Sequence, residues 1–363
     1  MRTSSGEMTV NIGYVGLDHH HRAPYLDSIA QLEECTVVAT ADPYGRTGAD
    51  VGAESLGGLP HYESTATLLD EEHIDVVWLT LANRDTPAVI ETAVDAGVDV
   101  YSEKPGARTA ADLEAIAGQV RRNDDVVVCF SYTWRAHPVV ETLRTRAEAG
   151  FFGDIRSFDL RFIASKLSTR TTDHYLFDAD ASRGGILQWL GVHWIDLIPY
   201  LLTDEIARVN AATTSDNDAV DVEDGASLQI ELGESGAVGT LSTGYYLREG
   251  RYDTEIKLYG TEGRCTWDPI GDVFGFDDET TLHLDSDNWL GTPVRQFTYE
   301  YEHAPGYGGK WGLGFFEQFL EAREGAADIP ASIDEAVRVL RVLDAAYESA
   351  ETGGWIAVNS LDE

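Results

Sequence analysis

The sequence predicts an α/β protein with two domains, a doubly wound parallel sheet followed by a second domain that is also based on a sheet. Three observations support this. A chain of 363 residues and 39.8 kDa exceeds the size at which one hydrophobic core usually keeps growing. Its first third alternates short β-branched runs with helix-like segments. After about residue 150, longer alternating segments separated by hairpin turns replace that pattern.

Strands of the first domain are predicted where short β-branched runs occur, and helices where apolar residues recur every three or four positions. Strand-helix-strand repetition at this spacing indicates a parallel sheet with right-handed crossovers. The predicted strands are 10–15, 37–41, 76–81, 98–101 and 126–129, and the predicted helices include 87–96 and 110–122.

The second domain contains one clear hairpin, in which the glycine-rich turn 233–236 separates two alternating segments, 226–232 and 237–245. A helix is predicted early in this domain, over 187–202. Two more helix-like segments, 315–323 and 333–349, close the chain.

The charge of the chain is strongly acidic and spread along its whole length. Aspartate and glutamate number 63 against 26 lysines and arginines, so the formal net charge is -37 at pH 7. Such a surface repels phosphate, which excludes nucleic-acid and anionic-membrane partners. Only four lysines occur, Lys104, Lys166, Lys257 and Lys310. Acidity with so few lysines predicts adaptation to a high-salt cytoplasm, where screening shortens carboxylate repulsion to roughly 3 Å at 1 M salt.

The cysteines and the N-terminus show no sign of export. Cys35, Cys129 and Cys265 are odd in number, far apart and fit no metal-ligand spacing, so buried reduced thiols are expected. The first ten residues lack a basic region followed by an apolar one, and no apolar run approaches the roughly 18 residues of a spanning helix. We therefore expect a cytoplasmic protein.

A glycine turn after the first predicted strand suggests a dinucleotide site. Gly13 lies in the strand and Gly16 in the turn, but Asp18 and His21 stand where the usual fingerprint has its other two glycines. Asp42 follows the next strand about 20 residues on, where a carboxylate accepts hydrogen bonds from the adenosine ribose. A turn or capping role before a proline is the other interpretation of Asp42.

The choice of dinucleotide stays open. Arg46, four residues after Asp42, is placed to neutralise a 2′-phosphate, whereas an aspartate at the end of the strand repels one. The sequence therefore permits NAD or NADP, and Asp42 favours NAD.

Three consecutive histidines, His19, His20 and His21, follow the turn. Neighbouring side chains on a helix point about 100° apart, so this spacing predicts that the imidazoles do not converge on one ion, and no metal is expected. At a helix N-terminus, the imidazole of His19 or His20, or the backbone N–H groups, would instead approach a pyrophosphate. A solvated helix start is the alternative.

Lys104 ends an apolar run in the segment Ser102-Glu103-Lys104-Pro105. In an open parallel sheet, the carboxyl ends of the strands border the ligand crevice. A lysine there is suited to hold a substrate oxygen and to stabilise the charge that develops on it. An exposed lysine before a turn proline is the alternative, but the rarity of lysine in this chain favours the functional interpretation.

A second candidate lies on the helix that opens with Gly184 and Gly185. Trp189 and His193 are four residues apart, so their side chains are predicted to share one helix face. His193 is suited to exchange a proton with a substrate. A core histidine is the alternative, and this helix taken alone favours it.

Basic residues gather between Arg156 and Arg183 in an otherwise acidic chain. Four basic residues and one acidic residue occur from Arg156 to Arg170, and the segment continues through His174 and Tyr175. Arg170 and Arg183 are able to form a fork around a carboxylate or phosphate. This raises the hypothesis of an anionic sugar or acid substrate. The alternative is a strand whose basic residues merely offset surface acid.

Taken together, these motifs resemble the Gfo/Idh/MocA oxidoreductases. The resemblance is carried by the Glu103-Lys104-Pro105 run, by Arg135 and Pro138 before two glycines, and by the glycine-pair helix with its histidine. It covers nearly the whole chain. It implies a Rossmann domain over 1–130, a substrate and oligomerisation domain with a large, mostly antiparallel open sheet over 131–330, and a closing helix and strand over 331–363 that pack back toward the first domain.

The resemblance also implies a function. It implies NAD(P)-dependent oxidation or reduction of sugars, sugar acids, polyols or related compounds by a homodimer or homotetramer. Lys104 matches the family's active-site lysine, His193 its acid/base histidine, and Asn83 the asparagine of the loop that lines the cofactor. Glu103 is implied on the cofactor side of the site and Arg135 on the substrate side.

Three departures from the family pattern bear on the chemistry. Ala82 and Thr86 replace the proline and histidine that flank the asparagine, the glycine fingerprint is eroded, and Trp189 replaces the aspartate one turn before the histidine. A large ring at that position stacks on a sugar face or walls the pocket. Asp196 then becomes the candidate to orient His193. Two other functions stay open, a redox-assisted glycosidase that retains NAD and a cofactor-binding sensor without turnover.

Overall fold

The computed structural model describes residues 9–123, 125–216, 218–271 and 278–358, and it divides into two compact units. The first unit comprises the described residues up to Ala107, Ala111–Thr133 and His303–Ala336. The second comprises Arg108–Ala110, Trp134–Glu302 and the described residues from Val337 onward. Among the described residues, no helix combines the length and the apolar character needed to span a bilayer.

The first unit contains a six-stranded sheet in which all neighbouring strands are parallel. Its strands are β1 (Val10–Val15), β2 (Cys35–Ala41), β3 (His61–Tyr62), β4 (Val76–Leu79), β5 (Asp99–Ser102) and β6 (Val128–Phe130). Their order across the sheet is β3-β2-β1-β4-β5-β6. This order confirms the predicted Rossmann domain, and it reverses between β1 and β4, where such sheets bind their ligands.

The second unit contains a nine-stranded sheet, confirmed as mostly antiparallel because only β7 and β10 pair in parallel among its described neighbours. Its order is β14-β13-β12-β11-β7-β10-β9-β8-β15. The strands are β7 (Ile155–Ser165), β8 (Ile206–Thr214), β9 (Gly225–Leu232), β10 (Val238–Leu247), β11 (Asp253–Gly260), β12 (Gly263–Trp267), β13 (Glu279–Ser286), β14 (Val294–Glu300) and β15 (Ile356–Ala357).

The helices end within a few residues of the predicted bounds where the apolar period is strong. They are α1 (Arg22–Ile29), α2 (Thr65–Glu71), α3 (Thr86–Asp95), α4 (Ala110–Val120), α5 (Pro138–Glu148), α6 (Ala179–Ser182), α7 (Val192–Leu202), α8 (Gly309–Arg323) and α9 (Ile333–Thr352). The segment predicted as one helix over 187–202 differs, because its first turn, Leu187–Gly191, is π-helical and only then continues as α7.

An aromatic layer covers the parallel sheet of the first unit. Trp78 of β4 lies 4.7 Å from Phe316 of α8, and Tyr101 of β5 lies 5.3 Å from Phe319, measured between ring centroids. All four side chains are buried. Burial of large aromatic rings contributes strongly to core stability, so this layer fixes β4 and β5, the strands that precede Asn83 and Lys104.

The sheet of the second unit is covered by helices on one face. Along β10, Leu241, Thr243 and Tyr245 are buried, while Val238 and Tyr246 on the other face are exposed. This alternation is the period-2 pattern that predicted the hairpin, and β9 and β10 pair in antiparallel register as expected. The hairpin prediction is therefore confirmed.

The C-terminal segment contributes to both units. The described residues His303–Ala336 belong to the first unit and those from Val337 onward to the second. The predicted division at residues 130 and 330 stays a prediction. In the second unit, β15 pairs with β8 at the edge of the sheet, with Ile356 opposite Val209. This pairing satisfies backbone hydrogen-bonding groups at the sheet edge. A strand of only two residues is too short to be predicted from its sequence pattern.

Candidate functional site

Lys104 lies two residues after β5, at the carboxyl end of the parallel sheet, and is only 5% exposed. Its backbone N–H donates to Ser131 Oγ at 3.1 Å. Burial lowers the pKa of the Lys104 ammonium, and the neighbouring Glu103 carboxylate opposes that shift. The alternative of an exposed lysine before a turn proline is therefore wrong.

Glu103 is a buried carboxylate that accepts hydrogen bonds from three side chains. It accepts from Tyr25 Oη at 2.7 Å, from Ser131 Oγ at 3.2 Å and from His21 Nδ1 at 2.8 Å. Burial alone would raise the pKa of Glu103, but the charge of Lys104 and the His21 bond outweigh it and hold that pKa well below its usual range. A charged carboxylate is therefore fixed beside Lys104.

The three histidines converge, so the prediction that they point apart is wrong. They lie in the loop before α1 rather than on the helix, and their candidate ligand nitrogens are within 4.8 Å of one another. His19 Nδ1, however, accepts the backbone N–H of His21 at 3.1 Å. A neutral imidazole that accepts at Nδ1 carries its proton on Nε2, and that nitrogen then cannot ligate a metal. The convergence alone does not make a metal site.

His21 and His20 differ in their surroundings. His21 is half-buried, and burial lowers its pKa against the opposing effect of Glu103, so the neutral ring donates from Nδ1 to that carboxylate. His20 is exposed, with its ring centroid 3.8 Å from that of His21. Sequence reasoning missed Tyr25, although its position four residues after His21 is the spacing that brings side chains together on a helix.

Gly16 shapes the loop between β1 and α1. Its φ is +89°, and a Cβ there would lie 2.5 Å from the carbonyl oxygen of Thr80, so only glycine fits this turn. Gly13 lies within β1 against Leu68, where a Cβ would come within 2.9 Å of that side chain. A glycine turn at the end of the first strand is the feature that admits a pyrophosphate in this sheet order, so the loop fits the expected dinucleotide.

Asp42 occupies the expected position after β2 but is fully buried. Its Oδ2 accepts the N–H of Leu17 at 2.8 Å and its Oδ1 accepts the N–H of Tyr44 at 2.8 Å. These bonds support the turn interpretation, and each oxygen can accept a further hydrogen bond, so the ribose interpretation of Asp42 and its preference for NAD stay predictions. Arg46 pairs instead with Asp18 at 2.9 Å, and both side chains are partly exposed.

Asn83 is buried and lies in the loop after β4, the strand that pairs with β1. It therefore lies, like Lys104, after the carboxyl end of a strand of the parallel sheet. The two positions that the family pattern fills with proline and histidine are Ala82 and Thr86, which are buried as well. Thr86 opens α3 and donates from Oγ1 to the carbonyl of Ala82 at 3.0 Å.

In the second unit, His193 lies on α7 and is 3% exposed. Its ring centroid is 6.3 Å from that of Phe162 on β7. The neighbouring Trp194 donates from Nε1 to the carbonyl of Arg161 at 2.8 Å, which ties α7 to the same strand. The helix therefore holds His193 against the covered face of the sheet.

Trp189 lies in the π-helical turn and is part of an aromatic cluster. Its ring centroid is 5.6 Å from that of Phe177 and 6.1 Å from that of Tyr245. The turn approaches β10 so closely that a Cβ at Gly191 would lie only 3.0 Å from Cγ2 of Thr243. The lack of a side chain at Gly191 permits this contact. Single π-turns within helices are frequent at functional sites. The position of the family's aspartate is therefore apolar here.

Asp196 forms a buried ion pair with Arg135. Arg135 donates to it from Nε at 3.0 Å and from Nη2 at 2.5 Å, and both side chains are buried. This bidentate pair places one donor on each carboxylate oxygen, and each oxygen can accept a further hydrogen bond. That Asp196 orients His193 and that Arg135 contacts substrate stay predictions.

Within the basic segment from Arg156 to Arg183, some side chains bind other parts of the protein. Arg183 is paired with Asp344 and donates to the carbonyl of Arg108 at 3.1 Å, so its charge is already compensated. His174 Nδ1 accepts the N–H of Leu176 at 3.2 Å and caps a short 3-10 turn that begins at Tyr175. Structural roles therefore account for Arg183 and His174.

Arg170 differs from the other arginines of this segment. Its Nε donates to the carbonyl of Ser165 at 3.0 Å, and its guanidinium lies 5.3 Å from the Trp189 ring and 4.8 Å from the Tyr245 ring. Sequence reasoning missed Tyr245 and Thr243, although the alternation along β10 places both on the face toward the helices.

Two family models match the chain. A model described as the NAD-binding Rossmann fold of an oxidoreductase family matches residues 10–131, and one described as the GFO/IDH/MocA C-terminal domain matches residues 140–266. Together these ranges include every strand of the first sheet and five strands of the second, β7 to β11, as well as both glycine-containing candidate regions.

Relatives with names in sugar metabolism match at low identity. D-xylose 1-dehydrogenase (NADP(+)) 2 of Haloferax volcanii is 25% identical, with 91% of this chain and 94% of the relative covered. Levoglucosan dehydrogenase of Pseudarthrobacter phenanthrenivorans is 24% identical, with 90% of each covered. A solved levoglucosan dehydrogenase in complex with NADH and L-sorbose shares the fold at a TM-score of 0.82 and 21% identity, over 98% of this chain and all of that one.

Proposed function

Because the chain belongs to the Gfo/Idh/MocA oxidoreductase family, we propose that it is an NAD(P)-dependent dehydrogenase or reductase acting on a CH–OH carbon of a sugar, sugar acid, polyol or related hydroxy compound. The observation that carries the proposal is the buried Lys104 beside the charged Glu103, at the carboxyl end of β5. Burial of an ammonium costs free energy, and such a lysine is characteristic of sites that stabilise charge on a reacting oxygen.

Lys104 and His193 have complementary roles in this proposal. When an alcohol becomes a carbonyl, its hydroxyl proton has to leave as hydride leaves the carbon; bound nicotinamide supplies the hydride acceptor. The Lys104 ammonium donates a hydrogen bond to the oxygen and stabilises the negative charge that grows as the proton departs. His193 accepts that proton on a ring nitrogen and returns it in the reverse direction. Burial lowers the pKa of Lys104, and the Glu103 carboxylate opposes that shift and so favours the charged form.

The cofactor is NAD or NADP in this proposal. The turn at Gly16 supports a dinucleotide, because its φ of +89° and its close approach to the Thr80 carbonyl require glycine, and a tight glycine turn after the first strand admits a pyrophosphate in this sheet order. Arg46, five residues after β2, pairs with Asp18, and this partly exposed pair does not choose between the two dinucleotides.

A homodimer or homotetramer remains part of the proposal. The face of β10 that the helices leave uncovered exposes Val238 and Tyr246, at 43% and 57%. Apolar groups on an open sheet face support association with a second copy. Light scattering coupled to gel filtration distinguishes the expected oligomer from a monomer.

Turnover with a substrate panel tests the proposed function. The purified chain in about 2 M KCl is given NAD or NADP with sugars, sugar acids and polyols, and absorbance of the reduced cofactor is followed. We expect net cofactor reduction with at least one member. Cleavage of a glycoside without net reduction would identify the redox-assisted glycosidase instead. Cofactor binding with neither reaction would identify a sensor and overturn the proposal.

A further inference from the structure

We propose that the second unit holds the carboxylate of an anionic substrate between the guanidinium of Arg170 and the hydroxyl of Tyr245. This inference rests on the proposed function, because it names the class of hydroxy compound, a sugar acid or hydroxy acid rather than a neutral sugar. Four features of the Arg170, Tyr245 and Thr243 side chains carry it.

Arg170 is an arginine without a carboxylate partner in an acid-rich protein. The chain has 63 aspartates and glutamates, yet within the described residues none of them forms an ion pair with Arg170. On the strand that precedes it, Arg161 pairs with Asp253 at 2.8 Å and Arg156 with Asp154 at 3.0 Å. An unpaired cation amid such acidity indicates that its anionic partner comes from outside.

The guanidinium of Arg170 is held in one orientation. The Trp189 and Tyr245 rings lie 5.3 Å and 4.8 Å from it, and its Nε is fixed by the carbonyl of Ser165. Its two terminal nitrogens donate no hydrogen bond to any residue the structure describes. A guanidinium fixed by aromatic contacts and through Nε presents its Nη groups as a fork, which matches the two oxygens of a carboxylate.

Tyr245 adds a buried hydroxyl that the protein itself does not use. The residue is 4% exposed, and its Oη has no hydrogen-bond partner within the described chain. Burial raises the pKa of Tyr245 well above its usual value, so the hydroxyl stays protonated and is a donor. A buried polar group without a partner calls for an explanation, and a bound ligand oxygen is one.

Thr243 repeats the pattern two residues earlier on β10. It is also buried, and its Oγ1 has no partner within the described residues. Positions i and i+2 of a strand share a face, so both hydroxyls lie on the side of β10 that meets the π-helical turn. One arginine fork with neutral hydroxyl donors fits a singly charged carboxylate better than a doubly charged phosphate, which would need further cations.

The acidic neighbour of this group does not prevent anion binding. Glu223 contributes to the raised pKa of Tyr245, but its own oxygens accept the N–H groups of Gly185 and Leu187 at 2.6 and 2.9 Å. Burial raises the pKa of Glu223, and Tyr347 Oη also donates to its Oε1 at 3.0 Å, so both of its oxygens are engaged by donors of the protein itself. The other arginine of the sequence hypothesis, Arg183, is compensated by Asp344, so Arg170 is the residue that remains for an anion.

Binding and turnover by matched ligand pairs test the inference. The cofactor-saturated protein is titrated with aldonates and uronates, with their neutral aldoses and with sugar phosphates, by calorimetry and by cofactor reduction. We expect a sugar acid to bind most tightly. Arg170→Gln should weaken that binding roughly 10- to 100-fold while leaving the neutral sugar within about twofold, since hydrogen bonds to a charged group carry the preference.

Two variants complete the design. Tyr245→Phe removes one oxygen and keeps the ring, so it should weaken acid binding roughly 5- to 10-fold without disturbing the fold. Arg156→Gln makes the same charge change at an exposed pair and should match the unaltered protein. A neutral sugar or a sugar phosphate that binds as well as its acid, or equal losses for acid and neutral ligands, would overturn the inference.

The same data separate this inference from the proposed function. Selective acid binding that depends on Arg170, without any turnover, would leave the anion site standing and refute the dehydrogenase. Turnover of sugar acids that is unchanged in Arg170→Gln, or that is no more efficient than turnover of the matched neutral sugars, would refute the anion site and leave the dehydrogenase standing.

Discussion

Burial lowers the pKa of the Lys104 ammonium, and the adjacent Glu103 carboxylate opposes that effect. Glu103 is a carboxylate with a pKa well below its usual range, and that carboxylate is itself held by Tyr25, Ser131 and His21. Removal of the ammonium would leave Glu103 buried and charged without its main counter-charge. Lys104 is therefore proposed to serve both the reacting oxygen of the substrate and the buried carboxylate of Glu103.

Substitution of Lys104 tests its proposed role in charge stabilisation. We expect Lys104→Met to lower kcat/KM by at least about 10²-fold, because an aliphatic chain cannot donate to the developing oxyanion. Lys166→Met, at an exposed position, should leave kcat/KM unchanged. Initial rates give kcat/KM, and quenching of protein fluorescence gives cofactor affinity, which should stay within a few-fold. Full activity in Lys104→Met would remove the lysine from the mechanism.

Single residues were predictable from sequence where rarity or position marked them. Lys104 stood out because lysine is scarce, and its burial agrees with the functional interpretation. Spacing did not indicate that Asp42 accepts the backbone N–H of Leu17 or that Asp196 pairs with Arg135, both far away in sequence. Such partners follow from tertiary packing, which spacing along the chain does not encode.

Elements with a strong period were predicted better than those with a local irregularity. β1 begins and ends as expected, and the hairpin of β9 and β10 follows its alternation. The π-helical turn Leu187–Gly191 was not predictable, since five residues are too few to separate its period from that of an α-helix. The loop position of His19–His21 was missed for the related reason that helix starts are weakly marked.

A buried histidine, His137, caps the start of α5, and its protonation should destabilise the protein in acid. His137 is fully buried, caps the helix by accepting the N–H of Val139 at 3.2 Å, and packs 4.8 Å from the Trp267 ring. Burial lowers the pKa of His137 to about 3. Because the unfolded chain binds the proton near its ordinary pKa, stability is lost as pH falls from about 6.5 toward the lower folded value.

Replacement of His137 by asparagine tests whether this histidine makes the free energy of unfolding fall in acid. Asparagine keeps an N-cap acceptor and cannot titrate. The free energy of unfolding of the unaltered protein should fall, relative to His137→Asn, by roughly 1.4 kcal/mol per pH unit between pH 6 and 4. Denaturant unfolding at several pH values measures the difference. Parallel pH curves for the two proteins would show that His137 does not carry the acid sensitivity.

The molecule as a whole carries a formal net charge of -37, which sets its response to salt. Most described arginines form ion pairs with acids, as Arg121 does with Asp334 and Arg323 with Asp99, yet the acids far outnumber them. The surplus carboxylates repel one another in the folded state, and that repulsion falls as the screening length shortens.

Stability should therefore rise with potassium chloride. We expect the midpoint of thermal unfolding to increase between about 0.2 M and 3 M KCl, with most of the gain below about 1 M, where the Debye length falls to roughly 3 Å. A parallel series in sucrose, which favours compact states by exclusion without screening, separates the two effects. A midpoint that is flat in KCl, or that rises equally in sucrose, would refute adaptation to high salt.

Direct transfer of hydride between substrate and cofactor is the central claim about the intact protein. A substrate from the turnover panel is labelled with deuterium at its reacting carbon, and the reduced cofactor is analysed by mass spectrometry. The proposal predicts one deuterium in each reduced nicotinamide formed. Reduced cofactor without deuterium, or deuterium returned to the product with no net reduced cofactor, would contradict it.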